Sequence, residues 1–241
     1  MRRRDFILTS AGVAVGLAAC GGGDSSSPSA APPPSQPSSP SQPTPVQQYS
    51  TNFPGTEDPL SEGGAWSNNG LDWTVVQTAN GVAQGTQTGT VGYDDSYARL
   101  SGFTSYQSAS AVIHLNSGID SSCTHEVEIL LRCTDAPHSV KCYECNLSFD
   151  GTYCEIVRWN GAVGDFTYLA RGTPHAAPRN GDTFKAVAQG DLIIVYLNDV
   201  EVIRASDTSY PTGNPGVGFY RGAPCGSNSD YGFSSFSAQS F

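Results

Sequence analysis

From residue 49 onward the apolar residues never sustain the 3.6-residue period of an amphipathic helix. They come in short alternating runs closed off by Gly, Asn, Asp and Pro. A period of two marks a half-buried strand, so the chain is confined to sheet architectures. Twelve runs qualify: 73–77, 97–100, 110–115, 126–133, 143–149, 153–159, 166–169, 183–188, 192–197, 201–204, 216–220 and 231–238. Asp150-Gly151 predicts a hairpin turn between the fifth and sixth runs, and Asn198-Asp199 one between the ninth and tenth. Strands of this number and spacing predict a β-sandwich or barrel. Residues 49–241 are long enough for one domain with a sizeable core.

The segment before the domain has a different composition. Arg2, Arg3, Arg4 and Asp5 lead into a weakly apolar run, 6–19, that ends at Leu17-Ala18-Ala19-Cys20. A charged start, an apolar stretch and small residues at the end form a cleavable export signal, residues 1–19. Fourteen residues diluted by Thr9, Ser10, Gly12 and Gly16 are too few for a membrane span, which needs about 20. Arg3-Arg4-Asp5-Phe6-Ile7 resembles a twin-arginine signal, and Leu17-Ala18-Ala19-Cys20 resembles a bacterial lipobox. That resemblance implies lipidation at Cys20 and anchoring to the cell envelope, with Gly21 pointing to the outer membrane. Residues 21–48 hold eight Pro and eight Ser. Such a stretch cannot bury enough surface to order itself, so 20–48 reads as the lipidated cysteine and an extended tether.

Charge narrows the partners. The chain carries a net charge of −10, and without Arg2, Arg3, Arg4 and Asp5 nine basic residues face twenty-one acidic ones. Nucleic acid, strongly anionic polysaccharide and direct binding to an anionic membrane surface are all disfavoured. Contact with the membrane is expected through the lipid only, and the sequence leaves the oligomeric state open. Besides Cys20 there are six cysteines: Cys123, Cys133, Cys142, Cys145, Cys154 and Cys225. An even count in an exported domain predicts three disulfides. Cys133–Cys142, Cys145–Cys154 and Cys123–Cys225 is one of fifteen pairings. The Asp150-Gly151 turn weighs against its second member, because it sets Leu147 opposite Cys154.

The C-terminal half carries a more specific pattern. Gly181-Asp182-Thr183-Phe184-Lys185-Ala186 precedes the run 192–202, Leu-Ile-Ile-Val-Tyr-Leu-Asn-Asp-Val-Glu-Val. Asp207, Gly213-Asn214-Pro215-Gly216-Val217-Gly218-Phe219-Tyr220 and Phe233-Ser234-Ser235-Phe236 follow. This resembles the laminin-G-like branch of the concanavalin A-like lectin/glucanase superfamily. The resemblance implies an all-β, two-sheet antiparallel jelly-roll sandwich with one concave sheet. Its members include sugar-binding modules, glycosidases and polysaccharide lyases, and the fold does not choose among them.

Alternation then suggests a site. Tyr143, Cys145, Leu147 and Phe149 share one face of their strand, and Glu144, Asn146 and Ser148 the other. A turn at Asp150-Gly151 places Glu155 opposite Asn146 and Val157 opposite Glu144. Glu126, Glu128, Leu130 and Arg132 share a face of the preceding strand. Glu126, Glu128, Glu144, Asn146, Tyr153 and Glu155 thus form either a solvated sheet face, in a structural or protein-binding module, or a candidate glycan-binding strip. Tyr143, Trp159, Trp66 and Tyr220 are further candidate stacking platforms, although large aromatics of a sandwich usually belong to its core.

No catalytic residue is assigned. The retaining glucanases of this fold carry Glu-x-Asp-x-(x)-Glu on one strand. Here Glu126-Val127-Glu128 begins in that way, but Leu130 and Leu131 stand where the third acid belongs. His114 resembles the histidine of one lyase motif, whose companion strands are missing. Calcium is compatible with loop acids Asp94, Asp95, Asp120 and Asp207, but no ligand spacing is specific, so the sequence assigns no metal or cofactor.

Overall fold

The computed structural model describes residues 44–88, 95–116, 119, 124–172, 175–222 and 226–241. The expected signal, Cys20, Cys123, Cys225, Asp94 and Asp120 lie outside these residues. Fourteen strands are present among the described residues: β1 Gln47–Thr51, β2 Thr74–Ala79, β3 Val82–Gly85, β4 Ser96–Arg99, β5 Gln107–Leu115, β6 Glu126–Ala136 and β7 Ser139–Ser148, then β8 Cys154–Gly161, β9 Phe166–Arg171, β10 Thr183–Gln189, β11 Leu192–Leu197, β12 Val200–Ser206, β13 Asn214–Tyr220 and β14 Tyr231–Ser240. All twelve expected runs are strands. β1 and β3 are additional, and β1 straddles the border expected between residues 48 and 49.

The strands run in the order β12-β11-β10-β5-β14-β3-β2-β4-β13-β6-β7-β8-β9, with β1 laid on β14. They form two sheets, β12 to β2 and β4 to β9. β2 joins them, pairing antiparallel with β3 and, through Thr74 and Val75, parallel with β4. That short parallel pair is the departure from the antiparallel expectation.

Between the sheets lies the main core. One sheet contributes Ile113, Phe184, Ile193, Val195, Phe233 and Phe236; the other contributes Val127, Ile129, Leu131, Tyr143, Cys145, Leu147, Ile156 and Phe219. These are alternate residues of each strand, except on β14, where a register shift after Phe233 brings Phe236 to the core face, so the period of two is what fills the core. The Asn198-Asp199 turn has φ of +51° and +61° and sets Leu197 opposite Val200. The turn around Asp150-Gly151 sets Asn146 opposite Glu155, Glu144 opposite Val157 and Leu147 opposite Cys154, the expected register.

Three expectations change. Arg132 does not share the face of Glu126 and Glu128. A bulge follows Leu131, Arg132 takes φ +52°, and its guanidinium donates to the carbonyls of Ser105, Gly190 and Tyr210. Cys133, Cys142, Cys145 and Cys154 are buried free thiols, not disulfides. Cys145 and Cys154 sit diagonally because Leu147 occupies the place opposite Cys154. Tyr143 and Trp66 are not platforms. Tyr143 faces the inter-sheet core and donates to Asp207 Oδ1 at 2.7 Å, while Trp66 packs edge-on against Tyr49 and Phe236.

Candidate functional site

The second sheet has an outer face turned away from the main core, and it divides into a dry half and a polar half. The dry half is a smaller apolar cluster of Trp73, Tyr97, Leu130, Cys133, Val140, Cys142, Val157 and Trp159. Residues 67–73 reach across it. Trp73 stacks on Trp159 with centroids 5.8 Å apart, and the Tyr97 ring meets both edge-on. The crossing segment is tied down at Asp135, whose carboxylate accepts from Asn69 N–H (2.9 Å), Tyr97 OH (2.9 Å) and Arg99 Nε (2.6 Å).

Beyond this cover the face opens into a pocket of about 460 Å³, within the range of ligand sites. Alternation on β6, β7 and β8 delivers Glu126, Glu144, Asn146, Glu155 and Val157. Tyr153, Trp159, Phe166, Tyr168 and Tyr220 supply aromatic surface, and Asp95 and Thr124 complete the rim. Five of the six strip residues therefore line one hollow. Glu128, the sixth, lies beneath it at 1 % exposure. Another hollow of about 480 Å³ lies on the first sheet, lined by Ser108, Ser110, Lys185, Ser237 and Gln239 with Tyr49 as the one aromatic among its lining. It lacks the clustered carboxyls of the first.

The carboxyls are held by specific donors. Tyr153 OH donates to Glu126 Oε1 and Trp159 Nε1–H to Glu144 Oε2. Asn146 Nδ2–H donates to Glu144 Oε1 at 2.6 Å, and its own Oδ1 accepts from Glu155 N–H at 3.0 Å. Glu155 pairs with Arg171 directly across β8 and β9, Nε to Oε1 2.9 Å, and the Arg171 guanidinium lies 3.9 Å above the Tyr168 ring. One carboxylate oxygen each from Glu126, Glu128 and Glu144 lies within 4.8 Å of the others.

Burial is the main influence on their protonation, because removing a carboxylate from water disfavours its charge. It pushes Glu144 up to about 7, against the opposing pull of the Asn146 and Trp159 donors. Burial together with the neighbouring Glu144 raises Glu126 and Glu128 well above the usual carboxylate range. Chemically, the pocket offers hydrogen-bond acceptors, carboxyls that hold protons near neutral pH, and flat apolar walls.

Phe166, Tyr168 and Arg171 were not singled out from sequence. The available signal was an alternating aromatic pair on a short terminal strand with an arginine at its end. Of the loop acids weighed for calcium, Asp95 lines the pocket, while Asp207 is bound to Arg158 at 2.7 Å and to Tyr143.

Two facing sheets in this strand order, with a pocket on the outer face of one, define a concanavalin A-like jelly roll. Among solved structures of that class, the chain is similar to the carbohydrate-binding module CBM66 from Bacillus subtilis. The identity is 17 %, the TM-score 0.50, and the match covers 75 % of this chain and 95 % of the module. It is also similar to porphyranase B from Zobellia galactanivorans, at 11 % identity and TM-score 0.50, over 83 % of this chain and 96 % of that one. An endo-acting O-glycanase of the human gut microbiota gives 11 % identity and TM-score 0.50, over 82 % and 100 %. At such identities the likeness establishes the fold. No protein-family model and no curated protein matches the sequence.

Proposed function

We propose that the domain binds a neutral carbohydrate in the pocket on its second sheet. We further propose that a lipid on Cys20 holds the exported chain at the cell envelope, on the outer membrane where there is one. The observation that carries the sugar reading is the joining of acceptor groups, Glu126, Glu144, Asn146 and Glu155, with the rings of Tyr153, Phe166, Tyr168 and Tyr220 in one hollow. Sugars present hydroxyls at their edges and C–H patches on their faces, and this lining complements both. None of the described lining residues is a lysine or arginine, which favours a neutral glycan over an anionic one. Carbohydrate-binding and glycan-cleaving proteins among the similar folds support a glycan ligand at the level of the fold.

Glycoside cleavage is the second reading. Glu126 and Glu144 approach within 4.8 Å and Glu144 titrates at about 7, near the separation of about 5–5.5 Å that retaining glycosidases use. Binding is preferred because Leu130 and Leu131 stand where the retaining glucanases of this fold carry their third acid.

Affinity electrophoresis of the protein in gels cast with neutral and acidic polysaccharides separates the readings. Retardation by a neutral glycan, without release of reducing ends, is the expected result. Uniform migration across the panel would refute sugar binding for those glycans. Glu155→Ala, which also frees Arg171, is expected to weaken retardation by about tenfold or more, the worth of one charge-assisted hydrogen bond. Circular dichroism should remain unchanged.

A further inference from the structure

We propose that Glu126, Glu128 and Glu144 together bind one divalent cation of the calcium type at the floor of the pocket. The inference goes beyond the sugar reading and does not need it.

The geometry comes from two adjacent strands. Glu126 and Glu128 project from β6 and Glu144 from β7, whose register sets Glu128 opposite Asn146 and Glu144 opposite Leu130. An oxygen from each of the three lies within 4.8 Å of the others. Two calcium–oxygen bonds end to end, at about 2.3–2.6 Å each, span that separation.

The independent observation is Glu128 Oε2. It is buried and has no hydrogen-bond donor. Buried polar groups in folded proteins are nearly always satisfied, so an oxygen left without a partner calls for a ligand. The chain also leaves room for this oxygen. The residue opposite Glu128 on β13 is Gly218, and a Cβ built there would lie 2.1 Å from Oε2. A side chain at 218 would displace the carboxylate from its place over the neighbouring strand.

Among the described residues no lysine or arginine lines the pocket. Arg171, the nearby arginine, is committed to Glu155. Three carboxylates supply up to six hard oxygen donors, a set suited to calcium, magnesium or manganese and unsuited to softer metals. The existing hydrogen bonds do not compete, because each carboxylate oxygen has a second lone pair. Tyr153, Asn146 and Trp159 instead fix the orientation of the liganding carboxylates. Glu126 reaches the pocket lining, so remaining coordination positions open toward whatever fills the pocket.

The test titrates the chelator-treated full chain with calcium chloride alone, by calorimetry and thermal melting. Magnesium and manganese serve as competitors, and terbium serves as a luminescent substitute excited through Tyr153 and Trp159. The expected result is one ion per chain, a saturable rise in Tm reversed by EDTA, and terbium emission displaced by calcium. Glu128→Gln and Glu144→Gln should each weaken binding by about a hundredfold or more, since a direct ligand outweighs the 10–100-fold of a supporting contact. Glu201→Gln, at an exposed pair on β12, should leave it unchanged. Failure of all three metals to bind at millimolar concentration would overturn the proposal. So would unaltered affinity in either folded variant. If one variant does not fold, the other and the terbium signal of the native protein decide. Retardation by glycan in EDTA without any metal binding would remove the cation and keep the sugar; metal binding without retardation would do the reverse.

Discussion

Asp135 is expected to be the costliest surface-adjacent position to alter. Its side chain is fully buried, and it accepts from the guanidinium of Arg99, the hydroxyl of Tyr97 and both the backbone and side-chain N–H of Asn69. Asp135→Ala removes the only anion in that group, leaves Arg99 mostly buried without its partner, and releases the segment that carries Trp73 over Trp159. Breaking a buried pair from one side costs about 3–5 kcal/mol, against less than about 1 kcal/mol for an exposed one. In a domain whose total stability is about 5–15 kcal/mol, that is a large fraction. Donation from Arg99 and Asn69 outweighs burial and holds the Asp135 carboxyl below its ordinary value. A depressed carboxyl contributes stability that is present above its unfolded value, near 4, and is lost as the pH falls below it. Urea unfolding of native and Asp135→Ala proteins at pH 7, followed by tryptophan fluorescence, measures the loss. Repetition at pH 3 should narrow the gap between them. A difference under 1 kcal/mol at pH 7, or a gap independent of pH, would refute the view that Asp135 pins the cover.

Glu144 has the opposite linkage. Its pKa is raised to about 7, so in EDTA the folded state holds a proton that the unfolded chain releases near pH 4.5. Unfolding free energy should therefore fall as pH rises from about 4.5 to 7 and level off above, and Glu144→Gln should remove that component. Trp159→Phe deletes the donor to Glu144 and part of the stack on Trp73; denaturant unfolding should register a loss of about 1–3 kcal/mol. Cys133, Cys142, Cys145 and Cys154 are buried, and burial raises the thiols of Cys142, Cys145 and Cys154, so these four should react with a thiol reagent only after unfolding. Labelling of any of them in the native protein, read by peptide mass, would contradict the packing.

The alternation of β5 through β8 and of β10, β11, β13 and β14 was legible because each strand buries one face and exposes or polarises the other. The β7–β8 register was legible for the same reason: one turn, Asp150-Gly151, fixes every pair above it. β1 was not, because Gln-Gln-Tyr-Ser-Thr has no apolar alternation and is held by backbone pairing to β14. β3 was missed because all four of its residues are buried, leaving no period to read. Five of the six strip residues share one hollow, as alternation and the β7–β8 register predict. The sixth, Glu128, sits on the same face but lower, since Gly218 lets its carboxylate lean toward β13. The Arg132 bulge and the Trp73 cover depend on contacts between distant segments, and the Arg171–Glu155 pair on a register shift between β8 and β9, to all of which local periodicity is blind.

The double membership of β2 has a consequence for how the molecule behaves in company. Two separate sheets would expose four open edges, each a template for strand addition by another copy. Sharing β2 welds them into one ribbon terminated by β12 and β9. β12 carries Glu201 and Arg204, locked to each other, and β9 ends in Arg171. Charges on a terminal strand oppose docking of a further one. With the short polar β1 laid alongside β14, the domain can be packed at high density with little opportunity for sheets of neighbouring copies to merge.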